Sequence, residues 1–91
     1  MSPWKPITTE AALGTNTGAA SNVGKSRYVR LFNTAAVGTE HLVTLETSGG
    51  TDIGTFTLDG QQEAIIQKDP SDQLFAANAA VMAVGIAINS N

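Results

Sequence analysis

The fold is decided by residues 27–68, RYVRLFNTAAVGTEHLVTLETSGGTDIGTFTLDGQQEAIIQK. Four segments within it are rich in strand-forming side chains: Tyr28-Val-Arg-Leu-Phe32, His41-Leu-Val-Thr-Leu45, Ile53-Gly-Thr-Phe-Thr-Leu58 and Ala64-Ile-Ile-Gln-Lys68. They recur at roughly 12-residue spacing between tight, Gly-bearing turns, the rhythm of a β-sandwich or barrel. A period of two places alternate side chains on opposite faces of a strand. Val29 and Leu31 therefore share one face, and Tyr28, Arg30 and Phe32 the other. His41, Val43 and Leu45 alternate with Leu42 and Thr44, so both faces are partly apolar, as in a strand covered on both sides. In the third segment Phe56 and Leu58 are expected to face the core, opposite Ile53, Thr55 and Thr57.

Working outward, Ser48-Gly49-Gly50 is the strongest turn signal, and Asp59-Gly60 is another. Asp69-Pro70-Ser71-Asp72 closes the fourth strand, because Pro70 has no N–H for a ladder and drives Asp69 toward extended backbone. Gln73-Leu-Phe75 reads as a brief strand or a turn of 3₁₀ helix. At Ala76 to Ala80 a helical turn competes on alanine propensity. Val81 to Ile88 reads as the last strand. Met82, Val84, Ile86 and Ile88 line one face, and the smaller Val81, Ala83, Gly85 and Ala87 line the other, which invites close packing by another chain segment. The expected fold is all-β: a small antiparallel β-sandwich or barrel of six to seven strands with an extended N-terminal arm. Its expected core is Phe56, Leu58, Val43, Leu45, Leu31 and Ile86.

The chain changes character near Lys25. Residues 1–25 read as an extended or flexible arm and residues 26–91 as the β domain. The arm holds three charges, Lys5, Glu10 and Lys25, and glycines at 14, 18 and 24 that break any helix. Two readings stay open: a flexible tail, or an arm that becomes ordered on a neighbouring subunit. Trp4, Pro6 and Ile7 favour the second and are the candidate partner contacts, since a purely solvating tail has little use for an indole. Gly18 to Val23 is a further candidate for a short first strand. The arm is expected to give the core little apolar area, so that the body folds without it.

Composition narrows the class. A chain of 91 residues makes one domain, and folding at this size buries only about 60–65% of the surface exposed when unfolded. That suffices for one thin core and not for a deep cleft between subdomains. With no cysteine, disulfides and thiolate metal sites are excluded. A net charge of −3 with five basic residues argues against nucleic acid as a partner. Ala79 to Ile88 is the longest mostly apolar run, far short of the ~20 residues of a membrane helix, so no membrane partner is expected. The N-terminus lacks the basic region and apolar core of a secretion signal. Charged residues make up 14% of the chain, against roughly 25% in ordinary soluble domains. A surface so poor in charge suits packing against a partner.

Catalytic and ligand motifs are missing. His41 is the sole histidine, so a His-based metal site or nucleophile–His–acid set cannot be assembled in one chain. Gly49-Gly50 has no Gly-Lys-Ser/Thr after it, and Gly24-Lys25-Ser26 has Ala19 where a phosphate-binding loop needs its first glycine. Asp69 and Asp72 flank a proline turn, where carboxylates accept backbone hydrogen bonds; a calcium site with Asp69, Ser71 and Asp72 is the weaker alternative. The chain is expected to be no enzyme and to use no cofactor and no metal.

The pattern Arg27-Tyr-Val-Arg-Leu-Phe-Asn-Thr34, His41-Leu-Val-Thr-Leu45, Ile53-Gly-Thr-Phe-Thr-Leu58 and Ala64-Ile-Ile-Gln-Lys-Asp-Pro-Ser-Asp72 resembles small virion proteins of tailed bacteriophages, particularly cyanophages. The closing Val81 to Ile88 strand is similar as well, so the resemblance covers about residues 20–88. It implies a non-enzymatic structural protein that decorates or cements an assembled capsid. Its partner would be the major capsid protein, with the chain present as a homo-oligomer such as a trimer, or in many copies on the shell. Its place would be the virion surface, and the host cytoplasm during assembly. A neck, tail or fibre-associated β module is the alternative. A glycan-binding module is the least favoured, because Phe56 and one of Phe32 and Phe75 are expected to be taken up by the core.

Overall fold

The computed structural model describes residues 3–88; Met1, Ser2 and residues 89–91 lie outside the described residues. Eight strands form two antiparallel sheets: β1 (Trp4–Pro6), β2 (Ala11–Ala12), β3 (Tyr28–Asn33), β4 (His41–Glu46), β5 (Asp52–Leu58), β6 (Glu63–Gln67), β7 (Gln73–Ala76) and β8 (Val81–Ile88). The larger sheet runs β1-β8-β3-β6, with β2 also on β8, and the smaller runs β5-β4-β7. The two sheets make an open sandwich and do not close into a barrel. The domain body supplies six strands where the sequence pattern calls for them, and the N-terminal segment adds the two short ones. Ala76 to Ala80 forms the end of β7 and a turn into β8 instead of a helical turn, and among the described residues the helical backbone is a 3₁₀ turn at Thr17–Ala19.

The core lies between the sheets. Val29 and Leu31 of β3 face it, beside Ala83 and Val81 of β8, and Val43, Leu58, Leu74 and Ala76 close it from the smaller sheet. Phe56 and Leu45 are half-buried and pack against this cluster from its margin. Ile86 is buried, but on the opposite face of β8 from the one expected. Register settles this: Leu31 pairs with Ala83 and Val29 with Gly85, so the small residues of β8 face inward, while Ile86 pairs with Tyr28 on the outer face. At Gly85 the inner position admits no side chain, because a Cβ there would fall 1.9 Å from Ser26 Oγ and 3.0 Å from the Thr8 methyl.

Leu13 and Val23 are also core residues, at 3% and 8% exposure. The N-terminal segment therefore gives the core more than sequence reasoning expects, because isolated apolar residues in a Gly- and Thr-rich run show no period. The segment lies along its own domain. Trp4, Lys5 and Pro6 pair with Ile88, Ala87 and Ile86; Ile7 N donates to Gly85 O; Ala11 and Ala12 pair with Ala83 and Met82. It then crosses from sheet to sheet, with Leu13 N bonded to Val81 O and Ala76 N to Gly14 O. Ser21 forms one bridge to Leu74, which is all the pairing that Gly18 to Val23 supplies.

A left-handed turn joins this segment to β3, with positive φ at Val23 (53°), Gly24 (65°) and Lys25 (59°). For a β-branched residue such as Val23 that conformation is strained. Burial of its side chain, a 2.6 Å hydrogen bond from Ser26 Oγ to its carbonyl, and one from Lys25 N to Asn22 Oδ1 hold it there. At the β5–β6 turn the left-handed residue is Gln61, φ 62°. Gly60 is required for closeness: a Cβ there would sit 1.8 Å from the Ala36 carbonyl oxygen.

Candidate functional site

Among the described residues no second sheet covers the outer face of the larger sheet, and the composition of that face is unusual. Cross-strand register arranges it in rows: Gln67, Tyr28, Ile86 and Pro6; then Ile65, Arg30 and Val84; then Glu63, Phe32, Met82 and Ala12. Arg30 stands at the centre. Its guanidinium carbon lies 5.2 Å from the centre of the Phe32 ring and 5.9 Å from that of Trp4, which places one cation between two aromatic faces. Glu63 accepts from Arg30 Nε, and Glu10 Oε2 lies 3.3 Å from Nη1. Two carboxylates thus flank one guanidinium and leave the cluster with an excess negative charge. Val84 and Ile86 are nevertheless buried on this face, Val84 in register with Arg30 and Ile86 between Tyr28 and Pro6.

The three candidate contacts of the N-terminal segment come together at this edge. Trp4 is half-buried and turned onto its own sheet, Pro6 sits in register with Ile86, and Ile7 is 54% exposed. Shallow grooves flank them: one between Trp4, Lys5 and Ala87-Ile88, the other between Ile7, Gly24 to Tyr28 and Ile86 to Ile88. Sequence reasoning overlooked Arg30 and Phe32 as parts of this surface. Phe32 is not taken up by the inter-sheet core; it stands opposite Met82 on the outer face. Phe75 likewise pairs with Thr44, on the face of β7 away from Leu74 and Ala76. The alternation Tyr28-Val-Arg-Leu-Phe32 carried the signal, since placing Val29 and Leu31 inward necessarily turns the aromatics outward.

Other polar groups are engaged structurally. Glu46 is fully buried, accepting from Thr17 Oγ1 at 3.1 Å and Gln73 Nε2 at 2.8 Å, and so ties the 3₁₀ turn to the smaller sheet. Asn33, also fully buried, donates through Nδ2 to Thr39 O and Leu58 O and accepts from Ala35 N. At the proline corner the Lys68 ammonium donates to the carbonyls of Asp69 and Pro70, and Asp72 Oδ2 accepts from Asp69 N. Two of the corner's carbonyls are thus directed to the chain's own ammonium, and the Asp72 carboxylate to its own backbone. Burial lowers the Lys68 pKa from its ordinary 10.5, and the nearby Asp72 and Asp69 carboxylates oppose that shift. Among the described residues no three His, Cys, Asp or Glu side chains gather to hold a metal ion, and no helix is long and apolar enough to cross a membrane.

Compared with protein families, with curated proteins and with solved structures, the chain finds no match.

Proposed function

We propose that this protein is a non-enzymatic virion structural component that decorates or cements an assembled phage capsid. In this reading it binds the major capsid protein through the outer face of its larger sheet and the β1 edge. The observation that carries the reading is the composition of that face. Trp4, Tyr28, Phe32, Met82 and Arg30 are the residue types enriched where proteins meet proteins, and here they share one half-exposed sheet surface whose central cation is already paired. The sequence resemblance to small virion proteins of tailed phages supplies the partner. Many weak copies on a lattice attach by avidity, so each contact need not be strong.

Co-sedimentation with purified tailed-phage heads tests this. The full chain is expected to travel with the heads. Tyr28→Ala and Ile7→Asp alter side chains outside the inter-sheet core, and are expected to reduce retention while preserving the β-type circular dichroism. Truncating an interface anchor typically costs about 2 kcal/mol, roughly a 30-fold loss. If the full chain ignores heads and runs instead with neck or tail fractions, the capsid reading is replaced by the neck or tail alternative.

A further inference from the structure

The strand edge at β5 offers a second surface, on the far side of the molecule from β1 and β2. Among the described residues β5 is bonded to β4 and to no other strand. Its free groups follow from the ladder. Ala77 N donates to Leu42 O, so Leu42 turns its backbone polar groups toward β7. Along an antiparallel strand that direction alternates from residue to residue. His41, Val43 and Leu45 therefore turn theirs toward β5, where their partners are Leu58, Phe56 and Gly54. Thr55 and Thr57, between those partners, point their N–H and C=O groups outward to solvent. Among the described residues nothing blunts this edge in the usual way. It carries no Lys and no Pro, its one charge is Asp52 at the end, and the register irregularity at Leu45/Glu46 leaves Gly54 to Leu58 regular.

The side chains say what fits there. A twofold-symmetric antiparallel pairing sets residue i of one copy against j of the other and j against i, and Thr55-Phe56-Thr57 reads identically in both directions, so such a pairing centred on Phe56 opposes like residue types. With the axis through Phe56, Thr55 of each copy meets Thr57 of the other, and the four outward groups of one strand match the four of its mate. Phe56 meets Phe56 at a non-hydrogen-bonded position, where side chains approach most closely. Each ring is only half-buried in its own domain, and the place a Cβ would take at neighbouring Gly54 has nothing within 4 Å. Thr–Thr and aromatic–aromatic pairs are among the favourable cross-strand combinations, and no like charges face each other in this register.

We propose that β5 is a self-association edge, through which two copies of this chain pair antiparallel about Phe56 and join their smaller sheets into one. This does not depend on what the outer face of the larger sheet binds.

The test uses the full chain in a concentration series by sedimentation velocity, with amide hydrogen exchange read at both ends of the series. A concentration-dependent dimer is expected, and the Thr55 and Thr57 amides should become protected as it forms. Thr57→Pro removes an N–H that β4 does not use, so the fold is expected to survive, as edge strands tolerate proline. By symmetry it deletes two hydrogen bonds and should weaken pairing about tenfold or more. The double variant Thr55→Lys/Thr57→Lys sets like charges opposite one another and should leave monomer only. Ile65→Pro, on the β6 edge, should leave the dimer intact. A wild-type chain that stays monomeric, a dimer whose Thr55 and Thr57 amides exchange freely, or one lost through Ile65→Pro and kept in the two β5 variants would each overturn the proposal.

Discussion

The two long sides of this sandwich are finished differently. On one side the edges of β8 and β7 are sealed: the segment from Trp4 to Leu13 bonds along β8, Gly14 crosses to Ala76, and Ser21 bridges to Leu74. On the other side β5 and β6 each have one neighbour among the described residues, joined by the Asp59 to Gln62 turn. An unpaired strand edge is a template for another strand, and proteins suppress it with charge, proline, bulges or a covering segment. With 14% charged residues this chain has little charge to spend on edges. It covers one side with its own N-terminus and leaves the other available. The lesson is that a sparse, glycine-rich segment can be structurally essential while a well-patterned strand is the exposed one.

The largest expected effect is on the sealed side. A chain beginning at residue 26 loses β1 and β2, which cover the edge of β8 away from β3, and removes Leu13 and Val23 from the core. Burying a Leu-sized side chain is worth about 2–5 kcal/mol, against a total stability of about 5–15 kcal/mol for a domain. Cooperative thermal melting by circular dichroism should disappear or shift far downward. An unchanged melting midpoint would erase the contrast between the two sides.

A pair of glycine substitutions sharpens the same contrast. At Gly85 a Cβ would land 1.9 Å from Ser26 Oγ and 3.0 Å from the Thr8 methyl, whereas at Gly54 it would meet nothing within 4 Å. Thr8 Oγ1 also accepts from Gly85 N, so this is where the N-terminal segment is buttoned onto β8. Gly85→Ala should destabilise by about 1–3 kcal/mol, the range for overpacking. Gly54→Ala should be neutral or stabilise by up to about 1 kcal/mol, through the lower conformational freedom of alanine when unfolded. Urea denaturation of the two variants measures the difference, and equal effects would show that both sides tolerate added volume alike.

On the open side, Asn33 ties the end of β3 to Leu58 of β5 and to the β3–β4 loop at Thr39. Asn33→Ala leaves the buried Leu58 carbonyl and the Thr39 carbonyl without this donor and should cost about 1–3 kcal/mol. Hydrogen exchange should then accelerate first near Leu58 and Gln62, not along β8; uniform acceleration would mean that the two sides open as one unit.

The smallest effect belongs to Lys68, at the end of β6. Its pKa is lowered in the folded protein, so between that lowered value and the ordinary 10.5 the unfolded chain binds more protons than the native one. Stability from this group therefore rises with pH across that window and is least favourable below it. Lys68→Met should flatten the alkaline rise in a series of denaturation midpoints. An identical pH profile in the variant would show that the ammonium is as well solvated folded as unfolded.

Much of the body was legible because its signals are local. Alternation located β3, β4, β5, β6 and β8, and the turn residues Gly50 and Asp59-Gly60 fall where the chain reverses. The outer-face site was half legible. Trp4, Pro6 and Ile7 stand out as apolar residues in a polar segment, but Arg30 and Phe32 looked like ordinary members of a strand. Only pairing brings Trp4 onto Arg30 from 26 positions away along the chain. Ile86 shows the limit of pattern reading. Both faces of Val81 to Ile88 are apolar, so hydrophobicity cannot choose between them, and the register with β3, which sets Ala83 beside Leu31 and Gly85 beside Val29, decides in favour of Val81, Ala83 and Gly85.

By itself, then, the sequence determined the class of fold, the positions of the body strands and the lack of any recognisable catalytic motif, because period, turn chemistry and residue inventory are properties of short stretches. The tertiary structure alone decided which face of β8 lies inside, that Leu13 and Val23 belong to the core, and which edges are sealed. Those outcomes depend on non-local hydrogen bonds and on close packing between segments far apart in the chain, and neither leaves a periodic trace in the residues that take part.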